Sequence, residues 1–219
     1  MARRFARKHL GFRDLITEAA VAVYMLVIIN GYVALSQLNT QFYYIVAVDI
    51  SASIGWGLID GFTNVIGSTI DRGSQAALVK MIKSEKTPGR SVGEIVKALD
   101  DTFISRFSDE GKRNIAVEVL RNSAVASEGD HRLATREDLA GLATILWIYL
   151  AAGMALSLPY VVLPDKLDAW LISNVVGIGW LFSYGYTVGR IAGQKRILVG
   201  LITSAAGIAF LVLSYATYG

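Results

Sequence analysis

LAGLATILWIYLAAGMALSLPYVVLP, residues 139–164, contains no charged side chain. A helix of this length exceeds the ~30 Å hydrocarbon core of a bilayer. Two more uncharged stretches follow it, 169–189 and 197–219. Hydrophobic residues make up 53% of the 219 residues and charged residues only 18%. This composition excludes a soluble globular enzyme, a disordered chain and a secreted mini-protein, and it predicts an all-α integral membrane protein.

Working outward from this stretch, we expect five transmembrane helices. They are predicted at about 15–37, 42–70, 139–163, 168–189 and 197–218. A basic segment, Met1–Gly11, precedes the first of them. The apolar stretch from Leu15 to about Leu38 is longer than the core of a signal peptide, so we expect a retained first helix.

Residues 71–138 separate the second and third predicted spans. We expect this segment to form a cytoplasmic helical domain inserted between transmembrane helices 2 and 3. The predicted organisation is therefore a basic tail with helices 1 and 2 in 1–70, the cytoplasmic domain in 71–138, and helices 3 to 5 in 139–219.

The positions of lysine and arginine predict the orientation of the spans. Five of the 21 lie in the tail up to Arg13, twelve in 71–138 and three in the 190–196 turn. The remaining one, Lys166, lies in the connection on the opposite side. Because positive charge accumulates on the cytoplasmic side, we expect the N-terminus to be cytoplasmic and Gly219 to lie outside.

Helix signals recur within 71–138. Ser91-Val-Gly-Glu94 matches a capping box, and apolar residues follow at a spacing of four. These apolar residues are Ile95, Leu99, Phe103 and Phe107. Ser108 is then expected to cap another helix, with Asp109 and Glu110 at its positive end.

Three acids lie within predicted spans, where an ionised carboxylate is costly. Asp60 is near the middle of span two, and Asn64 follows it by one turn on the same face. Glu18 lies about one turn inside span one, and Asp49 lies near the outer end of span two. Oxygen ligands of this kind suit hard divalent cations or protons. Asp60, Asn64, Glu18 and Asp49 are therefore candidate metal ligands, while for Glu18 and Asp49 a purely interfacial position remains open.

Other chemistries find little support. The chain has no cysteine, and His9 and His131 both lie outside the predicted spans. There is no phosphate-binding loop and no pairing of a nucleophile with a base, so we expect no enzyme and no cofactor. The basic tail is expected to contact anionic lipid rather than nucleic acid.

Local strings around the spans resemble one known family. Gly11-Phe-Arg-Asp14 leads into span one, and GLIDGFTNVIG at 57–67 with DRGSQ at 71–75 closes span two. Leu158-Pro-Tyr160 ends span three, and Val188-Gly-Arg190 ends span four. With the order of two spans, a helical insert and three spans, the chain resembles the vacuolar iron transporter family over nearly its whole length.

The resemblance implies a homodimer that exports ferrous or manganous ions from the cytoplasm in exchange for protons. The sequence departs from the family at several ligand positions. Ala19-Ala-Val21 replaces an Asp-Gly pair, Asn64 stands at a methionine and Ser68 at a glutamate. Lysines at 80, 83 and 86 replace glutamates of the cytoplasmic domain, leaving Glu85 among them.

Two functions follow as hypotheses. The first is a divalent cation transporter for iron(II) or manganese(II), with proton-coupled export from the cytoplasm. The alternative is a non-transporting relative, a membrane scaffold whose cytoplasmic helices bind a partner protein. The polar stripe on span two favours transport, because a scaffold has no need of one. The missing ligands favour the scaffold.

Overall fold

Six long α-helices run through the residues that the structure, a computed structural model, describes. The described residues are 12–36, 42–84, 92–93, 95–97, 106–123 and 134–218. The helices are α1 (Phe12–Ser36), α2 (Phe42–Ser84), α3 (Asp109–Ser123), α4 (Arg136–Val162), α5 (Lys166–Ile191) and α6 (Arg196–Tyr218). The basic segment before Phe12, the two capping-box residues Ser91 and Glu94, and both histidines lie outside the described residues.

Four of these helices contain stretches long and apolar enough to cross a bilayer. The stretches are Asp14–Tyr32, Tyr43–Ser74, Arg136–Val162 and Arg196–Thr217. Their outward-facing positions are apolar as well, with Ile59 and Phe62 of α2 and Leu213 of α6 more than half exposed. Exposed apolar side chains at this density are expected where the solvent is lipid. The protein is an all-helical membrane protein in the part of the chain described.

The predicted fourth span corresponds to α5, a helix of 26 residues that is not among these four stretches. Its sequence is diluted by small and polar residues, including Ser173, Asn174 and Ser183. Two of these, Ser173 and Asn174, are buried against other helices rather than exposed. The lower hydropathy of α5 thus reflects a helix with a polar inner face.

By its internal contacts, the chain divides into two compact units, residues 1–65 with 136–219 and residues 66–135. In the first unit, α5 packs against α6 most extensively, and α1 packs against α4, α5 and α6. Its core contains Val23 and Val27 from α1, Leu156 from α4 and Leu181 from α5. Burial of these side chains brings α1, α4 and α5 together at one centre.

Glycines set the closest helix approaches in this unit. Gly57 and Gly61 of α2 lie directly against Leu146 and Leu142 of α4. Gly185 of α5 lies against the backbone of α6. Small residues let the helices approach closely at these positions, because an added Cβ would lie only 2.1 to 3.1 Å from an atom of the neighbouring helix, closer than van der Waals contact.

The ends of α5 follow from its sequence. Asp165 is the N-cap, and its carboxylate accepts hydrogen bonds from the backbone N–H groups of Leu167 and Asp168. At the other end, Gly193 has a positive φ of 67°, and the Gln194 N–H donates to the Gly189 carbonyl. This arrangement is a Schellman motif, which ends the helix and turns the chain into α6.

The second unit contains α3 and a buried apolar set of Ala76, Ile95 and Ala116. The predicted cap of α3 is confirmed, since the Ser108 hydroxyl accepts a hydrogen bond from the Gly111 N–H at 3.2 Å. The predicted apolar stripe is confirmed at Ile95 but wrong at Phe107. Phe107 lies in the turn before α3 and is exposed.

Candidate functional site

The polar residues of α2 turn toward α4 over its first half. Asp49 and Ser53 are each 1% exposed, and Asp60 is half-buried. These three side chains therefore face the protein. Trp56 and Asp71 of the same helix are exposed.

Asp60 is held by a tyrosine of α4. The Tyr149 hydroxyl donates a hydrogen bond to Oδ2 of Asp60. Tyr149 itself is 1% exposed and belongs to the apolar core. The carboxyl group of Asp60 thus has a hydrogen-bond donor that the packing of the Tyr149 ring holds in place.

Glu18 of α1 belongs to the same cluster. It is half-buried, and its carboxylate interacts electrostatically with both Asp60 and Tyr149. A carboxylate of α1 and a carboxylate of α2 therefore interact electrostatically inside stretches that can span a bilayer. Their mutual repulsion in a low-dielectric region favours binding of a cation or a proton between them. We refer to Glu18, Asp60 and Tyr149 as the acidic cluster.

Asn64, the predicted amide ligand, is half-buried one turn beyond Asp60 on α2. Asn64 is thus close to the acidic cluster along the helix. The fourth predicted ligand, Asp49, lies eleven residues before Asp60 on the same helix, or about 16 Å along its axis. The structure therefore does not bring Asp49 to the acidic cluster, and one ion cannot bind to both aspartates.

Asp49 has different surroundings. Its Oδ2 accepts a hydrogen bond of 3.0 Å from the Ser157 hydroxyl of α4. Its Oδ1 is buried and has no hydrogen-bond partner. In the described part of the chain, no three histidines, cysteines or acids come together as a metal site. The acidic cluster accordingly contains two carboxylates, those of Glu18 and Asp60, together with the Tyr149 hydroxyl.

Next to Asp49 is a buried polar network that sequence reasoning missed. Asn30 of α1, fully buried, donates to the Ser173 hydroxyl of α5 at 2.6 Å and accepts from the Tyr160 hydroxyl of α4. Ser173 in turn donates to the Leu156 carbonyl at 2.7 Å. The network joins three helices. The available signal was a lone asparagine in the apolar run of α1, which indicates a buried partner.

We expect Tyr160→Phe to destabilise the protein by about 1–3 kcal/mol. The buried side-chain oxygen of Asn30 loses the hydrogen bond from the Tyr160 hydroxyl, while the aromatic ring remains in place. Thermal unfolding in detergent measures this loss. Tyr215→Phe is the matched control, since Tyr215 is 55% exposed on α6. Equal melting temperatures for the two variants would contradict the structural role of the network.

A groove on the surface of the first unit is separate from the carboxylates. It has a volume of about 460 Å³ and lies between α1, α4 and α5. Its lining is almost entirely apolar and includes Trp147, Trp180 and Tyr184. A groove of this composition on a membrane helix bundle suits an acyl chain better than a cation.

No protein-family model matches the chain, and the search of curated proteins returned no match.

Proposed function

We propose that this protein transports a divalent cation across the membrane, with the acidic cluster as the cation site. The observation that supports this most strongly is the electrostatic interaction of Glu18 on α1 with Asp60 on α2, within segments long enough to span the bilayer. Two carboxylates at such a depth are expensive and are found mainly where ions or protons pass. A divalent cation neutralises both charges at once.

The ligand chemistry favours a hard or borderline cation. Glu18 and Asp60 supply carboxylate oxygens, and Asn64 can add an amide oxygen from the next turn of α2. The site lacks a thiolate because the chain has no cysteine. Iron(II) and manganese(II) accept such oxygen ligands, in line with the resemblance to vacuolar iron transporters. Asp49 is outside this proposed site.

The proposed topology has five spans, with α5 as the fourth. In this topology, 20 of the 21 lysines and arginines lie on the cytoplasmic side of the membrane. They are in the N-terminal tail, in residues 71–138 and in the 190–196 turn. Gly219 then lies outside. Export from the cytoplasm in exchange for protons, by a homodimer, completes the proposal on the strength of the family resemblance.

Transport into proteoliposomes tests the proposal. Purified protein reconstituted with a pH-sensitive dye inside is expected to take up manganese(II) and to move protons in the opposite direction. Protein-free vesicles and calcium(II) provide the controls for leak and for selectivity. Absence of uptake for both iron(II) and manganese(II), in vesicles where the protein is folded, would contradict transport.

Glu18→Gln is expected to lower manganese(II) affinity by roughly tenfold or more, because one of the two charges of the cluster is lost while the side-chain shape is kept. Isothermal calorimetry in detergent measures the affinity. Glu137→Gln, the same change at an exposed position in the first turn of α4, is the control and is expected to bind as the wild type does. Unchanged affinity of Glu18→Gln would remove Glu18 from the site.

The scaffold alternative is favoured by one observation, the hydrogen bond that Tyr149 donates to Asp60. A carboxylate held in this way can be a static packing element. If the full chain binds no divalent cation in calorimetry and moves none into vesicles, the scaffold becomes the better account. Its partner would then be sought with the full-length protein in membranes.

A further inference from the structure

Asp49, near the start of α2, is a buried carboxyl group with an incomplete set of hydrogen bonds. Asp49 is 1% exposed, and one of its two carboxylate oxygens receives a single hydrogen bond, from Ser157. The other oxygen, Oδ1, is buried without any hydrogen-bond partner. A carboxylate that stays ionised in a protein interior needs several donors or a cation, because desolvation of the charge costs several kcal/mol.

The neighbours of Asp49 do not supply these donors. Ser53, one turn along α2, donates its hydroxyl hydrogen to the Asp49 backbone carbonyl at 2.7 Å. Tyr160 of α4 is the titratable group that interacts electrostatically with Asp49, but its hydroxyl donates to Asn30. The remaining members of this network, Asn30 of α1 and Ser173 of α5, are uncharged.

Positive charge is also lacking around Asp49. Among the described residues, no lysine, arginine or histidine forms a hydrogen bond or an ion pair with its carboxylate. The neutral carboxylic acid suits these surroundings, because Oδ2 still accepts from Ser157 and the net charge disappears. A proton is the smallest cation that achieves this, and a buried oxygen can take it up without displacing any neighbouring side chain.

We propose that Asp49 is a proton-binding site, which holds a proton on Oδ1 in the resting protein. It is separate from the acidic cluster, which lies about 16 Å away along α2. If the proposed transport is correct, Asp49 is the group that binds the counter-transported proton, and this second role rests on the proposed function. The proton binding itself does not depend on transport.

Infrared spectroscopy of the protein in lipid at neutral pH tests the proton directly. The wild type is expected to show the carbonyl stretch of a protonated carboxylic acid, shifted by exchange into D₂O. Asp49→Asn should lose this band, because its neutral amide keeps an acceptor for Ser157 and has no acidic proton. Asp168→Asn, at an exposed position in the first turn of α5, should retain the band.

An identical band in the wild type and in Asp49→Asn overturns the proposal, as does its absence in the wild type. If Asp49→Asn does not fold, the wild type grown with carboxyl-labelled ¹³C-aspartate decides. A protonated-acid band that fails to shift with this label excludes every aspartate, Asp49 included. A labelled band that shifts, and that persists in labelled Asp60→Asn, supports the proposal, whereas a shifted band that disappears in Asp60→Asn overturns it.

The coupling role has its own measurement. Asp49→Asn is expected to retain wild-type manganese(II) affinity in calorimetry and to lose manganese-driven proton movement in vesicles at least tenfold. Unchanged proton movement per manganese ion would overturn the coupling role and leave the infrared result standing. If the wild type moves no metal at all, the proposed function fails, and the infrared band still decides whether Asp49 binds a proton.

Discussion

Asp60→Asn is expected to abolish metal transport and to weaken manganese(II) binding by on the order of a hundredfold or more, about 2.7 kcal/mol. Changes beyond the first ligand shell of metal sites already cost tenfold to a hundredfold in affinity, so removal of a ligand charge should reach at least the upper end. Asparagine keeps an oxygen that can accept the hydrogen bond from Tyr149. The loss would therefore report charge rather than misfolding.

The chain offers a matched control on the same helix. Asp71 lies eleven residues after Asp60, the same interval that separates Asp60 from Asp49, but Asp71 is exposed. Asp71→Asn removes the same charge and is expected to leave uptake and affinity unchanged. Calorimetry and vesicle uptake are measured on both variants. Wild-type transport by Asp60→Asn would exclude Asp60 from the mechanism.

Tyr149→Phe tests whether the Tyr149 hydroxyl positions Asp60 for metal binding or only stabilises the packing of α2 against α4. If the hydroxyl only holds Asp60 in place, its loss should weaken metal binding less than the loss of the Asp60 charge. If the hydroxyl is instead part of a static packing contact, as in the scaffold alternative, Tyr149→Phe should lower thermal stability in a protein that binds no metal. The core position of the ring, 1% exposed, is the same in both cases.

Most of the helix boundaries were predictable because bilayer thickness and capping residues both act locally. The span predicted at 139–163 is α4 at Arg136–Val162, and the span predicted at 197–218 is α6 at Arg196–Tyr218. α2 continues beyond the predicted span at 42–70 to Ser84, where no proline occurs before Pro88. Local signals of this kind need no knowledge of which helices are neighbours.

The pairings between helices were not predictable in the same way. The pattern on α2 gave Asp60 as an inward-facing residue, but nothing in the sequence showed that Tyr149 would be its partner. Asn30 and Ser173 are 143 residues apart, and each is a single polar residue in an apolar run. Periodicity identifies the inner face of one helix, whereas the contact across two helices depends on their relative rotation and depth.

Gly185→Ala is expected to be among the most destabilising single-methyl changes in the bundle. An added Cβ would lie 2.1 Å from the Thr203 Oγ1, 2.7 Å from the Val199 carbonyl oxygen and 2.9 Å from the Gly200 Cα. Two of these atoms are backbone, so no rotamer change on α6 relieves the clash. Overpacking of this kind costs typically about 1–3 kcal/mol, and we expect the upper end.

The clash also removes a hydrogen bond between the helices. The Thr203 hydroxyl donates to carbonyl oxygens that include that of Leu181 on α5, at 2.9 Å. The methyl group would occupy the position of this hydroxyl. The backbone carbonyl of Thr203 accepts from the Tyr24 hydroxyl of α1 at 2.9 Å, so a displaced α6 would disturb α1 as well.

Gly179→Ala is the control, because it adds the same methyl group to the same helix where nothing lies within 4 Å. Alanine favours helix over glycine by up to about 1 kcal/mol, so this variant should melt at or above the wild-type temperature. Intrinsic tryptophan fluorescence follows both unfolding transitions, with Trp180 of α5 next to the altered positions. Opposite effects of one methyl group at positions 179 and 185 would show that α5 and α6 pack backbone to backbone at Gly185, whereas equal effects would contradict that contact.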